Sequence, residues 1–269
     1  MTRILLTNDD GIASPGIAAL RRALDPLGEV VTIAPDQNRS AIARSITIGR
    51  TLHVQRLVFG EAFEGFSIDG TPVDCVRAAT LGTLCEPPDL VVAGVNMGPN
   101  MGQDVTYSGT VGAALEGALL KMPALAVSIM SRNPAHLDDI VGLVAPIVRR
   151  VCEAGLPVGV ALNLNLPDLP VAAVGGVAVT RLGRAVYDDR MVVEDGADGS
   201  RSYRIESEMM LGENGVGTDF GAVARGLVSI TPLRSDWFDQ ASVAMLKEWD
   251  LDDLVTGAVR GARATTGED

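Results

Sequence analysis

Aliphatic runs of strand length recur along this chain at 3–7, 29–34, 89–95, 123–130 and 157–164, and helical patterns near 16–25, 71–84, 109–121 and 136–154 lie between them. That alternation implies βαβ units, because a parallel strand is reached only through a crossover long enough to hold a helix. Strands buried on both faces of a parallel sheet read as unbroken Val, Leu, Ile and Ala. The composition agrees, since 47% of the residues are hydrophobic but only 4% are aromatic. The clearest helix opens at Asn133-Pro134, puts Asp138 and Asp139 in its early turns, and spaces Leu137, Ile140, Val141, Val144, Ile147, Val148 and Val151 at three and four. The expected fold is α/β, a single domain over residues 1–269 with a mostly parallel sheet.

After Pro167 the texture changes. The stretch 168–212 reads as an excursion: Val177 to Thr180, then Ala185 to Val193, a polar turn from Glu194 to Ser200, and Arg201 to Ile205. A hairpin arm of this length needs a neighbouring surface, so an oligomer contact is expected. The chain returns through Thr218-Asp219 and a short helix to one more strand at Leu227 to Thr231, and ends in a charged tail over 250–269.

A net charge of −12 leaves no excess of cations to release phosphate counterions, which argues against nucleic-acid or anionic-membrane partners. No stretch reaches the roughly 18 apolar residues of a membrane helix. Cys75, Cys85 and Cys152 form no C-x-x-C pair, and no leader is recognised, so a reducing, cytoplasmic setting is expected. The histidines are His53 and His136 and the lysines Lys121 and Lys247, too few for a histidine-rich metal site or a Walker loop.

Three segments at the carboxyl ends of expected parallel strands carry chemistry, where open α/β sheets bind ligands. Asn8-Asp9-Asp10-Gly11 follows the first strand. Adjacent carboxylates about 4 Å apart repel by a few kcal/mol at an effective dielectric near 20, which a hard divalent cation removes; a turn with a helix cap explains the same residues equally well. Oxygen ligands of this kind select Mg²⁺, Mn²⁺ or Ca²⁺. Beyond Ala34-Pro35-Asp36, Ser40 is a further candidate ligand, and Arg39 or Arg44 a candidate for phosphate oxygens, although a Ser-Arg loop taken alone reads as ordinary surface. The most specific stretch runs from Ala93 to Gly112. There Asn96 offers a neutral oxygen to the cation, while Ser108, Gly109 and Thr110 open a helix whose N–H groups and dipole favour an anion. Carboxylates, a hydroxyl, an amide and a helix N-terminus, without a histidine or cysteine nucleophile, suit metal-assisted phosphoryl transfer to water.

These residues resemble the SurE family of survival-protein 5′-nucleotidases. The likeness lies in Leu5 to Ile12, Ala34 to Ser40, Gly70-Thr71-Pro72-Val73-Asp74-Cys75-Val76 and Tyr107 to Ala114, and continues through Leu162 to Pro167, Thr180 to Arg184, Gly217-Thr218-Asp219 and Val228 to Leu233. The resemblance implies a three-layer α/β/α, Rossmann-like core and one divalent cation, Mg²⁺ or Mn²⁺, at Asp9, Asp10, Ser40 and Asn96. It further implies hydrolysis of nucleoside 5′- or 3′-monophosphates, with some relatives also trimming polyphosphate, and a dimer or tetramer built partly by exchanged C-terminal segments. Asp9, Asp10, Asn96 and Ser108 are the expected catalytic residues, and Asn8, Arg39, Ala41, Ser108, Gly109 and Thr110 the expected phosphate contacts. On this reading a metal-activated water attacks phosphorus.

Two residues depart from the family pattern. Ala41 replaces the usual glycine beside Ser40 and is expected to lose access to positive φ, shifting the phosphate pocket. Ala93 replaces a serine at the strand end. The rival reading is a non-catalytic phospho-receiver or metal-binding stress module, which would want a lysine near a late strand end; Lys121 instead precedes the strand starting at Pro123.

Overall fold

In the computed structural model, which describes residues 1–59, 63–82, 84–196, 198–253 and 255–256, the elements follow in the order β1 (Thr2–Thr7), α1 (Pro15–Leu24), β2 (Gly28–Pro35), β3 (Val54–Phe59), β4 (Phe63–Ile68), α2 (Pro72–Thr80), β5 (Leu90–Met97) and α3 (Gly109–Leu119). Then come β6 (Ala124–Ile129), α4 (Leu137–Ile140), α5 (Val144–Ala154), β7 (Val160–Leu166), β8 (Val177–Val179), β9 (Ala185–Asp195), β10 (Arg201–Gly212), α6 (Asp219–Ala224), β11 (Val228–Arg234) and α7 (Gln240–Lys247).

Nine strands make one sheet in the order β3-β4-β2-β1-β5-β6-β7-β11-β8. The six from β4 to β7 in that order are parallel, while β3 and β11 run antiparallel to their inner neighbours. Alternate residues feed the two faces. Ile4 and Leu6 of β1 join a core with Ile17, Leu20, Val144 and Val148 from α1 and α5, and Leu5 joins one with Val76, Ala79, Val111 and Ala114 from α2 and α3. Two helical layers therefore sandwich the sheet, which is why its central strands need no polar alternation.

Three details differ from the sequence expectation. The helix expected over 136–154 divides into α4, a 3-10 turn at Val141–Leu143 and α5. Pro146, in the first turn of α5, has no N–H to give the carbonyl of Gly142. The start of α4 is held by Asp168, whose carboxylate accepts from Ala135 N and His136 N at 3.0 Å each, not by Asn133-Pro134. Val177–Val179 pairs with β11 in the main sheet, so the hairpin itself is β9 and β10. The pair β3 and β4 had no reading as a hairpin, although His53 falls beside it on an exposed polar edge.

Residues 1–234 form one compact unit and 235–269 a second. In the second, Asp239 caps α7 by accepting from Ala241 N at 3.0 Å. Most of the charged tail expected over 250–269 lies outside the described residues, as does Ala197 in the hairpin turn. Among the described residues no helix is long and apolar enough to cross a membrane.

Candidate active site

The strand β1 lies between β2 and β5, and the chain crosses from one side of β1 to the other on reaching β5. The loops after these three strands therefore meet at a topological switch point.

The first loop is a clamped turn. The Asn8 amide donates to Gly11 O at 2.9 Å and Ser14 Oγ at 3.2 Å, and its Oδ1 accepts from Gly11 N at 3.2 Å. Gly11 has φ +96°, and a Cβ there would sit 3.1 Å from the Gln37 carbonyl carbon. Asn8 thus spends its polar atoms on the turn that presents the two acids and does not line the cavity. Asp9 is 3% exposed and accepts from the Thr110 hydroxyl. Asp10 accepts from Met97 N at 3.2 Å and Asn38 Nδ2 at 3.3 Å.

Burial drives both carboxyls toward the neutral form. For Asp9 the rise is opposed by the Thr110 hydroxyl and by the backbone N–H groups of Thr110 and Gly109. Asp10 is pushed up to about 6, by burial first and the charge of Asp9 second, against the pull of the Met97 N–H. Asp9 thus lies against the N-terminus of α3, the one expected to meet phosphate. A fixed carboxylate beside the first turn of α3 takes the dipole and the free N–H groups as readily as a ligand anion would.

The second loop carries Ser40 and Ala41. Ala41 adopts φ +58° and Ala43 φ +55°, so the alanine keeps the left-handed backbone it was expected to lose. That conformation costs about 1–2 kcal/mol for a residue with a Cβ, and the loop's anchors offset it. Arg39 N donates to Asp9 O at 2.6 Å and Ala43 N to Tyr107 O at 2.9 Å. Arg44 places Nε and Nη2 on Glu116 Oε2 at 3.0 and 2.7 Å, and Arg77 lies 2.7 Å from Oε1 of the same buried glutamate, an ion contact rather than an aligned hydrogen bond. Asp74 accepts from Thr47 N and Oγ1 at 2.9 and 2.6 Å while closing the capping box of α2 with Thr71. Gly70 to Asp74 thus helps to hold this loop.

The third loop completes the site. Asn96 donates Nδ2 to Gly98 O at 2.8 Å, leaving Oδ1 as its open acceptor. Asn100 N donates to Asn165 Oδ1 at 2.9 Å, while the side-chain amides of Asn163 and Asn165 donate to Asn100 O at 2.8 and 3.0 Å. Gly102 N and Gly183 N both donate to the buried Asp219 at 2.8 Å. Ser108 caps α3 by accepting from Val111 N at 3.1 Å, which leaves its own hydroxyl proton to donate elsewhere. Ala93, by contrast, is wholly buried core.

A cavity of about 600 Å³ results, lined by Asp9, Asp10, Ser40, Ala41, Asn96 and Ser108, and at its rim by Tyr107, Arg132, Tyr187 and Ser207. Its size suits a nucleotide. A larger groove of about 630 Å³, lined by Leu143, Ile147, Val174 and Ile230 among others, is almost wholly apolar and holds no chemistry. All four proposed cation ligands line the one cavity. Among the described residues no three His, Cys, Asp or Glu side chains cluster as a metal cage. Two adjacent acids with neutral hydroxyl and amide oxygens fit a hard oxygen-seeking cation, which would offset the burial and, second to it, the Asp9 charge that raise Asp10.

Arg39 and Arg44 are not brought to the cavity. Arg39 Nη2 bonds Asp36 and the Asp69 carbonyl, and Arg44 bonds Glu116. Sequence reasoning passed over Asn38, Asp104, Arg132, Tyr187 and Ser207. Arg132 was findable, since it follows β6 as the other loops follow their strands. Tyr187 and Ser207 reach the cavity because Gln103 binds the Ala185 carbonyl and N–H, at 2.5 and 3.1 Å, and Tyr187 donates its hydroxyl to Asp104. Nothing in their local sequence signals this.

The family model "Survival protein SurE" matches residues 4–189. The chain is 42% identical over 264 residues to a 5′-nucleotidase SurE of Rubrobacter xylanophilus, covering 94% of this chain and 99% of that protein. It is also 42% identical to a 5′-nucleotidase SurE of Geobacter metallireducens, covering 94% and 99%. The crystal structure of the SurE protein from Aquifex aeolicus superposes with a TM-score of 0.78 at 39% identity, covering 91% of this chain and 98% of that one.

Proposed function

The chain belongs to the SurE family, and from that premise we propose that it is a metal-dependent 5′-nucleotidase that hydrolyses nucleoside monophosphates to nucleoside and phosphate. The observation that carries the reading is the convergence of Asp9, Asp10, Ser40 and Asn96 on one nucleotide-sized cavity, beside a Ser108 hydroxyl free to donate. These four residues would hold one Mg²⁺ or Mn²⁺ ion. Such a cation supplies Lewis-acid polarisation of the phosphoryl group and lowers the pKa of water. Ser108 donates to a phosphate oxygen on which charge develops. Asp10, the more open of the two acids, would take the proton of the attacking water. Thr110 and Gly109 act through Asp9, fixing its carboxylate. Asn8 acts through the turn.

Hydrolysis of 3′-monophosphates and of short polyphosphate belongs to the same reading, since the cavity presents its chemistry to a phosphate and leaves the rim open. A homodimer or homotetramer is supported by the hairpin, where Met191, Val193, Tyr203 and Ile205 pair across the strands and all stand exposed. The hairpin is thus both an excursion and an apolar surface suited to a second copy. A cytoplasmic setting is supported by three free cysteines. The phospho-receiver alternative is not favoured: Lys121 lies before β6, at the amino ends of the parallel strands, whereas the acids follow the carboxyl end of β1.

Turnover of a panel of nucleoside 5′- and 3′-monophosphates should vanish after exhaustive EDTA treatment and return on adding Mg²⁺ or Mn²⁺. Undiminished turnover without metal would overturn the mechanism, and metal-supplemented protein inert toward every monophosphate would overturn the function.

A further inference from the structure

A phosphate dianion entering this cavity meets Asp9, Asp10 and Asp104 on a chain of net charge −12. A divalent cation offsets the first two acids and leaves the charge of the phosphate itself. Among the described residues, one cationic side chain lines the cavity, Arg132, on the loop leaving the carboxyl end of β6. It is exposed and makes no hydrogen bond or ion pair with another described residue, whereas Arg39 and Arg44 are engaged elsewhere. Arg132 flanks the proposed cation ligands closely. A Cβ built on Gly98 would lie 3.7 Å from Arg132 Cγ and 4.0 Å from Asn96 Nδ2, so the two side chains border the same glycine. The loop's base is fixed by Gly98 N donating to Ile129 O at 3.1 Å and by Asp168 holding Ala135 N and His136 N.

Resting on the phosphomonoesterase reading above, we propose that Arg132 is the residue that binds the non-bridging oxygens of the substrate phosphate from the open side of the cavity, a role neither Arg39 nor Arg44 can fill. A planar guanidinium with free donors matches that pair of oxygens. Those oxygens are charged in both ground and transition states, so the contact acts on binding more than on the chemical step.

The test compares wild type, Arg132→Ala and Arg132→Lys on a nucleoside 5′-monophosphate, on p-nitrophenyl phosphate, and in inhibition by inorganic phosphate. In Arg132→Ala, KM for both substrates and Ki for phosphate should rise by about tenfold, as expected for one charged hydrogen-bonding contact. The turnover number should stay within about threefold, with partial recovery of KM and Ki in Arg132→Lys. The melting temperature should not change, because the side chain has no hydrogen-bond or ion-pair partner among the described residues. Unchanged KM and Ki overturn the assignment. So does a rise confined to the nucleotide, since the guanidinium would then be meeting the nucleoside. Wild-type protein that hydrolyses neither ester overturns the functional reading instead, and the phosphate arm, repeated as direct binding by calorimetry, still decides Arg132.

Discussion

Replacing Asp10 with asparagine should abolish turnover and, in metal-free protein at pH 7.5, raise the melting temperature. The two effects have one source. Burial and the charge of Asp9 lift Asp10 to about 6, above its ordinary range, so folding disfavours its ionised form. For an acid raised on folding, the unfavourable contribution is absent below the unfolded pKa near 4 and grows as pH rises to about 6. Above that it costs the apo protein about 1–2 kcal/mol, allowing for the carboxyl's partial exposure. Asparagine keeps the acceptor for Met97 N and the shape of the side chain while removing the charge. It should therefore melt a few degrees higher than wild type without metal. Adding Mn²⁺ should stabilise wild type and leave Asp10→Asn unmoved, while loss of a charged ligand should cost at least ~10²-fold in turnover. Calorimetric melting at pH 5 and 7.5, with and without Mn²⁺, reads all of this. A variant less stable than wild type at pH 7.5, with metal stabilisation intact, would remove Asp10 from the site.

A second large effect is expected from Gly109→Ala, a change that helix propensity alone would favour by about 1 kcal/mol. Gly109 opens α3 with an ordinary helical backbone, so the alanine meets no φ penalty. Its Cβ would, however, lie 2.8 Å from Asp9 Cβ and 3.0 Å from Asp9 Oδ2. The Asp9 carboxylate must then move away from the Thr110 hydroxyl and the N–H groups that hold it. A displacement of about 1 Å at a positioned group costs on the order of 10²-fold in rate. The expected result is a folded protein, by circular dichroism and cooperative melting, whose turnover falls by that factor and whose Mn²⁺ affinity falls with it. Activity within twofold of wild type would show that Asp9 is not held as tightly as the contacts with α3 indicate.

The sheet and its helices were legible because burial on both faces writes itself as aliphatic runs, and those runs also place the three strand-end loops. Asp9, Asp10, Ser40 and Asn96 could each be read as a candidate oxygen ligand on those loops, but the set of four was what the family resemblance implied. The supporting cast was less legible, because it depends on pairings across long separations. Thr110 lies 101 residues from the Asp9 it bonds, and a local reading of a helix N-terminus cannot tell an external phosphate from an internal carboxylate. Asn8 was an expected phosphate contact on the resemblance, whereas its amide closes the turn. Ala41 looked like a loss of conformational freedom, but the anchors on Tyr107 and Glu116 hold it at positive φ. The break between α4 and α5 was written in Pro146, yet the strong apolar periodicity on either side masked it. Tyr187 had no local signal, since only the path of the hairpin from its Gln103 clamp brings it to the cavity.

On the reading proposed above, the loops after β1, β2 and β5 would hold one cation between them. Anomalous diffraction from crystals soaked in Mn²⁺ tests it most directly. The account requires one strong peak within roughly 2.0–2.6 Å of oxygens from Asp9, Asp10, Ser40 and Asn96. A peak bound only by the two carboxylates and remote from Ser40 and Asn96, or one elsewhere in the molecule, would contradict it.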